Sequence, residues 1–516
     1  MATTVKTERH VDLERPLPSE EYVPRALPTV IGRFDMLALY VCSLFLFTNA
    51  VLSAAGGTVS LLYMAIGVLF FFIPCVMATA QLGVMFPHTG SLYNWTYKAL
   101  GSRWNFFVTL CFWVTGVLAA VTGADAFVTV VQGLNNNWLT DPWQQGAVIL
   151  TIIAISTAIT LQRMRTALNV VNAVFLITMV AVALAALAAL GFLATGHASA
   201  TSFVQPADWS INSSNFFLFG IITLNFIGAS GAMNMAGEIQ DRGQKRQIIL
   251  SPLLWGTVIV TACYFVVDIS ALIVRGPAML NATVLPFEGF TAIYQVLGKF
   301  AGSIAALCFL MYAVISNVFY TLSSSRLLLA ASIDGRVPVW FGRLNKNRSP
   351  QNAILFQSFS AAVIVLAIFV LAPLIANFGG SAATTLIDIY TVFSAAVTLV
   401  WTVATSFFFV DLFFLYRRNP LSFRQQSLFP MPVLWTAIIV GFVACIATVI
   451  GILRYSWIEQ LIVDGQWWYL VGGLTVIVLI IAWLLSLFGS SQAAWETIIE
   501  SDGASEAGQE PVERYR

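Results

Sequence analysis

Long apolar runs alternate with short polar breaks along almost the whole chain. A membrane span needs about 20 mostly apolar residues, more when it is tilted. By that rule the pattern predicts twelve helices, at roughly 34–55, 58–86, 104–133, 146–162, 167–195, 215–237, 248–275, 300–330, 352–375, 384–416, 429–453 and 466–490. Gly56 and Gly57 supply the turn between the first two runs. Residues 1–33 form a polar, proline-punctuated tail without the apolar core of a signal peptide, so the first run is expected to stay as a helix. Residues 491–516 form an acidic, polar tail.

The basic residues orient these spans. Of 25 Lys and Arg, only Arg275, Lys299 and Arg454 fall on one side. The others lie in the tails and in loops such as GQKRQ (243–247) and GRVPVWFGRLNKNRSP (335–350). The loops NNNWLTDPWQQ and TGHASATSFVQPADWSINSS contain none. The excess of Lys and Arg marks the cytoplasmic face, so both termini are predicted to be cytoplasmic, in keeping with an even number of spans.

Composition narrows the class further. Hydrophobic residues make up 59% of the 516 and charged ones 9%, far from the soluble average of about a quarter charged. The lipid bilayer is therefore the expected solvent, and an integral protein of the cell membrane the expected product. A net charge of +1 offers no basic field for nucleic acid. The six cysteines all fall inside apolar runs without disulfide or zinc spacing, and read as small packing residues. The three histidines, His10, His88 and His197, lie in tails or near helix ends, so no metal or other cofactor is expected. A membrane enzyme would need a cluster of His, Asp or Ser at a membrane face, and the spans hold no His.

The sixth run departs from its neighbours. It reads LNFIGASGAMNMAGE (224–238), with three glycines, two asparagines and a serine in fifteen residues. Two readings fit. Gly228, Ala232 and Ala236 make a stripe of small residues for close helix packing. Alternatively the helix is broken here, and its freed N–H and carbonyl groups line a site. In a carrier built from inverted repeats the partner break belongs in the first run, LYVCSLFLFTNAVLSAAGG, which has no glycine before Gly56.

Several separated segments resemble the amino acid–polyamine–organocation transporter superfamily. FPHTGSLYNWTYKALG (86–101) is similar to its signature after the second span, and FIGASGAMNMAGEIQD (226–241) to its sixth-helix break and acidic exit. SSSRLLLAASIDGRVPVWFGRLNKNRSPQNA (323–353) resembles its eighth-helix exit, with Arg326, Asp334, Gly335, Pro338, Phe341 and Pro350 at family spacing. FFFVDLFFLYRRNP (407–420) resembles the end of its tenth helix. The FFFIP run (70–74) and the missing first-helix glycines look closer to the glutamate–GABA antiporter branch than to the arginine or cationic branches.

The resemblance implies an all-α, leucine-transporter-like fold with helices 1 and 6 interrupted. It implies a ten-helix transport core over 34–416, with inverted repeats at about 34–195 and 215–416, and peripheral helices 11 and 12 within 429–490. It also implies a secondary active transporter of amino acids or related amines that works by alternating access, as proton-coupled symporter or exchanger. Phe226 would be an aromatic gate, and Gly228, Ala229 and Ser230 would leave backbone groups free for cargo. Ser43, Leu44, Phe45 and Leu46 occupy the first-helix position where the family has a glycine–serine–glycine segment. Tyr320 falls at a site tryptophan of the arginine–agmatine exchangers, with Asn317 one turn earlier on the same face. Ser230 replaces the glutamate of many relatives, and the fifth helix lacks the lysine that some proton-coupled relatives use.

Asp125 in the third run is the deepest acid and the coupling candidate, with a structural carboxylate as the plainer reading. Asp268 and Asp388 read as interfacial, and Glu238, Asp241, Arg242, Lys245 and Arg246 as a solvated cluster. Thr321, Ser324 and Ser325 offer hydroxyls to a cation, which keeps a sodium-coupled symporter as the alternative.

Overall fold

The structure, a computed structural model, describes residues 16–213, 215–240, 244–282, 284–375, 382–457 and 462–504, without the side chains of 374–375, 382–390, 488 and 490–504. Asp241, Arg242 and the side chain of Asp388 therefore lie outside the described residues. Among the described residues the regular structure is helical, joined by isolated bridges only. Among the described residues, eleven helices are long and apolar enough to cross a membrane, or twelve if one bent pair counts as a single span.

A short amphipathic helix, α1 (Pro18–Ala26), leads in. The bent pair follows, α2 (Arg33–Leu44) and α3 (Phe47–Ala54). The chain turns at Gly57, whose φ of +76° suits only glycine well, into α4 (Val59–Gly67) and α5 (Ile73–Met85), which run on through a π-turn at Val68–Phe72. Next come α6 (Ser91–Leu100), α7 (Ser102–Leu134), α8 (Pro142–Thr160) and α9 (Met164–Ala194). Then α10 (Phe217–Phe226) stops early and gives way to 3-10 turns at Gly231–Asn234 and Ala236–Glu238.

The second half holds α11 (Lys245–Val274), α12 (Glu288–Ile333), α13 (Gln351–Leu366), α14 (Ala372–Ile375) and α15 (Ala382–Arg418). A break at Gly298, φ +83°, divides α12, so the expected eighth span begins only after a preceding short helix. After α16 (Pro420–Gln425) come α17 (Met431–Arg454) and α18 (Asp464–Ala504).

The long helix α12 packs against α7, α8, α9 and α2 and forms the middle of the bundle. In the most apolar stretch of α7, 78% of residues are buried, against 22% in α18, so α18 lies outermost. Its exposed Ile477, Ile480 and Ile481, with Ile439, Val443 and Ile450 of α17, form an apolar outer surface suited to lipid.

Polar stitches gather at the end of the bundle rich in Lys and Arg. Asp35 accepts from Gly32 N–H at 2.8 Å and Asn172 at 2.6 Å, and pairs with Arg165 at 2.9 Å, which fixes the start of α2 on α9. Thr96 of α6 donates to Asp411 of α15 at 2.8 Å. Glu238 is not part of a solvated cluster. It is fully buried and pairs with the equally buried Arg326 of α12 at 2.9 Å. Arg326 lies 88 positions away along the chain, so charge runs in the local sequence gave no sign of the pairing. Asp268 lies six residues before the end of α11. It is buried within α11, and among the described residues neither carboxylate oxygen has a partner.

Candidate functional site

Two helix ends meet at one small cavity. The first is the gap between α2 and α3, which are bent by 41° at Phe45 and Leu46. Helix ends leave carbonyls and N–H groups without intrahelical partners, which is costly away from water. Three tyrosines from two other helices meet this need. Tyr264 of α11 donates to Leu44 carbonyl at 2.8 Å and accepts from Leu46 N–H at 3.2 Å. Tyr312 of α12 donates to Cys42 carbonyl at 2.9 Å and also contacts Phe45 carbonyl. Tyr320 donates to Ser43 carbonyl at 3.1 Å. Among the described residues, the N–H groups of Phe47 and Thr48 at the start of α3 find no acceptor.

The second helix end follows α10. Ile227 N–H still bonds Thr223 carbonyl at 2.9 Å, and then Gly228 turns to a φ of +102°. Among the described residues, the N–H groups of Gly228, Ala229 and Ser230 have no acceptor, and the carbonyls of Leu224 to Ile227 have no donor. Ser230 Oγ is buried, and among the described residues it has no partner. A Cβ on Gly228 would lie 2.7 Å from Cζ2 of Trp401, so the indole of α15 rests directly on this turn. Asn234, farther along, is held by Ser323 of α12 at 2.9 Å, and Ser323 in turn donates to Gly231 carbonyl at 2.9 Å.

The cavity between them has a volume of about 70 Å³. Ser43, Leu44, Leu46 and Asn49 line it from α2 and α3, and Leu224 and Ile227 from the second helix end. Thr122 and Gly123 of α7, Tyr312, Ser316 and Tyr320 of α12, and Ser394, Val397 and Trp401 of α15 complete much of the wall.

Of the residues singled out from sequence, Ser43, Leu44, Leu46 and Tyr320 line this cavity. Phe45 points elsewhere, edge-on to Tyr264 with ring centres 5.2 Å apart. Phe226 is also off the wall, stacked on Phe72 at 4.7 Å and edge-on to Tyr264 at 5.5 Å. Gly228, which abuts Trp401, and the following Ala229 and Ser230 are also not on the wall. Asp125 sits on α7 just beyond Gly123 and does not line the cavity. Asn317 donates its amide to Ala120 carbonyl and so joins α12 to α7. The hydroxyls of Thr321 and Ser325 each donate to a carbonyl of their own helix at 2.9 Å.

The sequence reading missed Tyr264, Tyr312, Ser394 and Trp401. A signal existed for the tyrosines. A hydroxyl deep in an apolar span needs a partner, so mid-span tyrosines point to a neighbouring backbone with carbonyls to spare.

A bundle of helices with an apolar outer surface is the architecture of an integral membrane protein. Its sequence says which kind. Residues 31–481 match the amino acid permease family, and the chain belongs to that family, within the amino acid–polyamine–organocation superfamily. Over 357 residues it is 22% identical to an uncharacterized transporter of Legionella pneumophila subsp. pneumophila, across 65% of this chain and 72% of that protein.

Proposed function

We propose that the chain is a secondary active transporter that moves an amino acid or related amine by alternating access. The observation that supports this most is that the two interrupted helix ends border one cavity: Leu46 and Asn49 line it on either side of the unpaired N–H groups of Phe47 and Thr48, and Leu224 and Ile227 line it from the end whose carbonyls are unpaired. The N-terminal end of a helix carries partial positive charge and suits a carboxylate, while free carbonyls suit an ammonium. In this reading α2–α3 and α10 with its following turns are the interrupted helices 1 and 6 of two inverted five-helix repeats. The first break takes the carboxylate of the cargo and the second takes its amine. Phe226 and Tyr320 move to close over the ligand, and Ser43–Leu46 and Gly228–Ser230 supply the flexible backbone.

The protein sits in the plasma membrane with both termini cytoplasmic. Movement is driven by exchange of substrates or by protons, with Asp125 as the candidate carrier. Sodium coupling is the second reading, and the hydroxyls on α12 that motivate it have lone pairs left to offer.

Counterflow in proteoliposomes tests the proposal. Vesicles preloaded with unlabelled amino acid should accumulate the same labelled amino acid, saturably and with preference for one enantiomer. Lack of counterflow across a broad panel of amino acids and amines sinks the proposal. Replacing sodium by choline separates the two coupling readings, since only the sodium symporter should stop.

A further inference from the structure

The wall of the cavity is electrically bare. Among the described residues it holds no Asp, Glu, Lys, Arg or His. A cargo whose side chain carried a full charge would bring that charge into the interior without a partner, which costs far more than one hydrogen bond returns. The wall is nevertheless not inert. Trp401 Nε1 and Ser394 Oγ are both buried, and among the described residues neither has a hydrogen-bond partner. They lie two helical turns apart on α15, on one face. The indole N–H can only donate, so it calls for an acceptor. The backbone ends of α3 and α10 already provide for the α-carboxylate and α-amine, so these two groups are left to read the side chain.

Size adds a bound. At about 70 Å³ the cavity is roughly half as large as an engineered cavity of about 150 Å³ that takes up benzene. Even a small amino acid therefore needs some widening. Tyr320 can supply it, because its 3.1 Å bond to Ser43 carbonyl holds the ring on the wall and an incoming ligand can replace that bond.

From these observations we infer that the cargo is a small amino acid with an uncharged side chain bearing a hydrogen-bond acceptor, a hydroxyl or carboxamide, read by Trp401 and Ser394. This rests on the carrier reading above and names its substrate class. It excludes polyamines, basic amino acids and amino acids with acidic side chains.

The test is counterflow by the full chain in proteoliposomes with serine, threonine, asparagine, alanine, arginine, glutamate and putrescine. Serine should exceed alanine about tenfold in kcat/KM, the worth of one good buried hydrogen bond. Arginine, glutamate and putrescine should not exchange. Ser394→Ala and Trp401→Phe should each bring the serine-to-alanine ratio to within about threefold of unity. The serine variant removes one oxygen and keeps the fold testable should the tryptophan variant misfold. Exchange of a charged cargo at the rate of serine, or a ratio unmoved in both variants, overturns the inference and leaves the carrier reading intact. Exchange of nothing on the panel removes both.

Discussion

The buried pair Glu238–Arg326 allows a prediction with a worked magnitude. Glu238 follows the second helix end and Arg326 lies on α12, with 0% and 1% of the side chain exposed. Arg326 donates to both carboxylate oxygens, at 2.9 Å from Nε and 3.2 Å from Nη2. Its other neighbours, Ser325 Oγ at 3.3 Å and Met164 sulfur at 3.6 Å, are neutral. Glu238→Gln keeps the shape and one acceptor but leaves the guanidinium without its counter-charge. Breaking such a pair from one side costs about 3–5 kcal/mol. For a chain of this size that corresponds to roughly 1–2 °C per kcal/mol, extending the trend of smaller domains, so Tm should fall by roughly 3–10 °C. Thermal unfolding in detergent, followed by tryptophan fluorescence, measures it. The double variant Glu238→Leu/Arg326→Met removes both charges and should recover most of the loss, since apolar replacement of a buried pair is commonly neutral or stabilising. If Glu238→Gln unfolds within about 1 °C of the parent, or the double variant unfolds below Glu238→Gln, an uncompensated buried charge is not what the first substitution creates.

Three further predictions follow from the same geometry. Gly228→Ala places a Cβ 2.7 Å from Trp401 at a φ of +102°, strain of about 1–3 kcal/mol, and should abolish counterflow while far-UV circular dichroism stays unchanged. Tyr264→Phe strips Leu44 carbonyl and Leu46 N–H of their partner and should lower stability by about 1–3 kcal/mol, read as a lower Tm. Asp334, beyond the apolar part of α12, accepts from Ser19 N–H and hydroxyl at 2.8 Å each, and burial pushes its carboxyl from 3.8 up to about 6. The folded chain therefore holds more protons than the unfolded one between those values, and stability at this group falls as pH rises through about 4 to 6. Asp334→Asn should remove that slope from a plot of Tm against pH; an unchanged slope counts against the assignment.

Much of the fold was legible because lipid forces simple rules on sequence. Apolar runs of span length marked the helices, and Gly56–Gly57 marked a turn that the structure makes. The glycine-rich stretch around Gly228 left two readings open, close packing or a break; α10 ends at Phe226, and Gly228 takes a φ that other residues seldom adopt. The break after Leu44 was not legible from residue type. No glycine stands there, and the gap is held open by tyrosines that lie 218 or more positions away. Glu238 misled for the same reason: its neighbours in sequence are basic, but its partner comes from α12. Asp268 shows a different limit. Its position near the end of an apolar run gave no sign that neighbouring side chains would enclose its carboxylate completely. Trp401 and Ser394 became visible only once α15 was seen to close the cavity.

The central claim is that the ends of α3 and α10 hold a small zwitterion between them. Electron cryo-microscopy of the full chain with saturating serine tests it most directly. The account predicts density in the cavity, with a carboxylate against the N–H groups of Phe47 and Thr48 and an ammonium against the carbonyls of Leu224–Ile227. An empty cavity at saturation, or amino acid density bound elsewhere while transport proceeds, contradicts it.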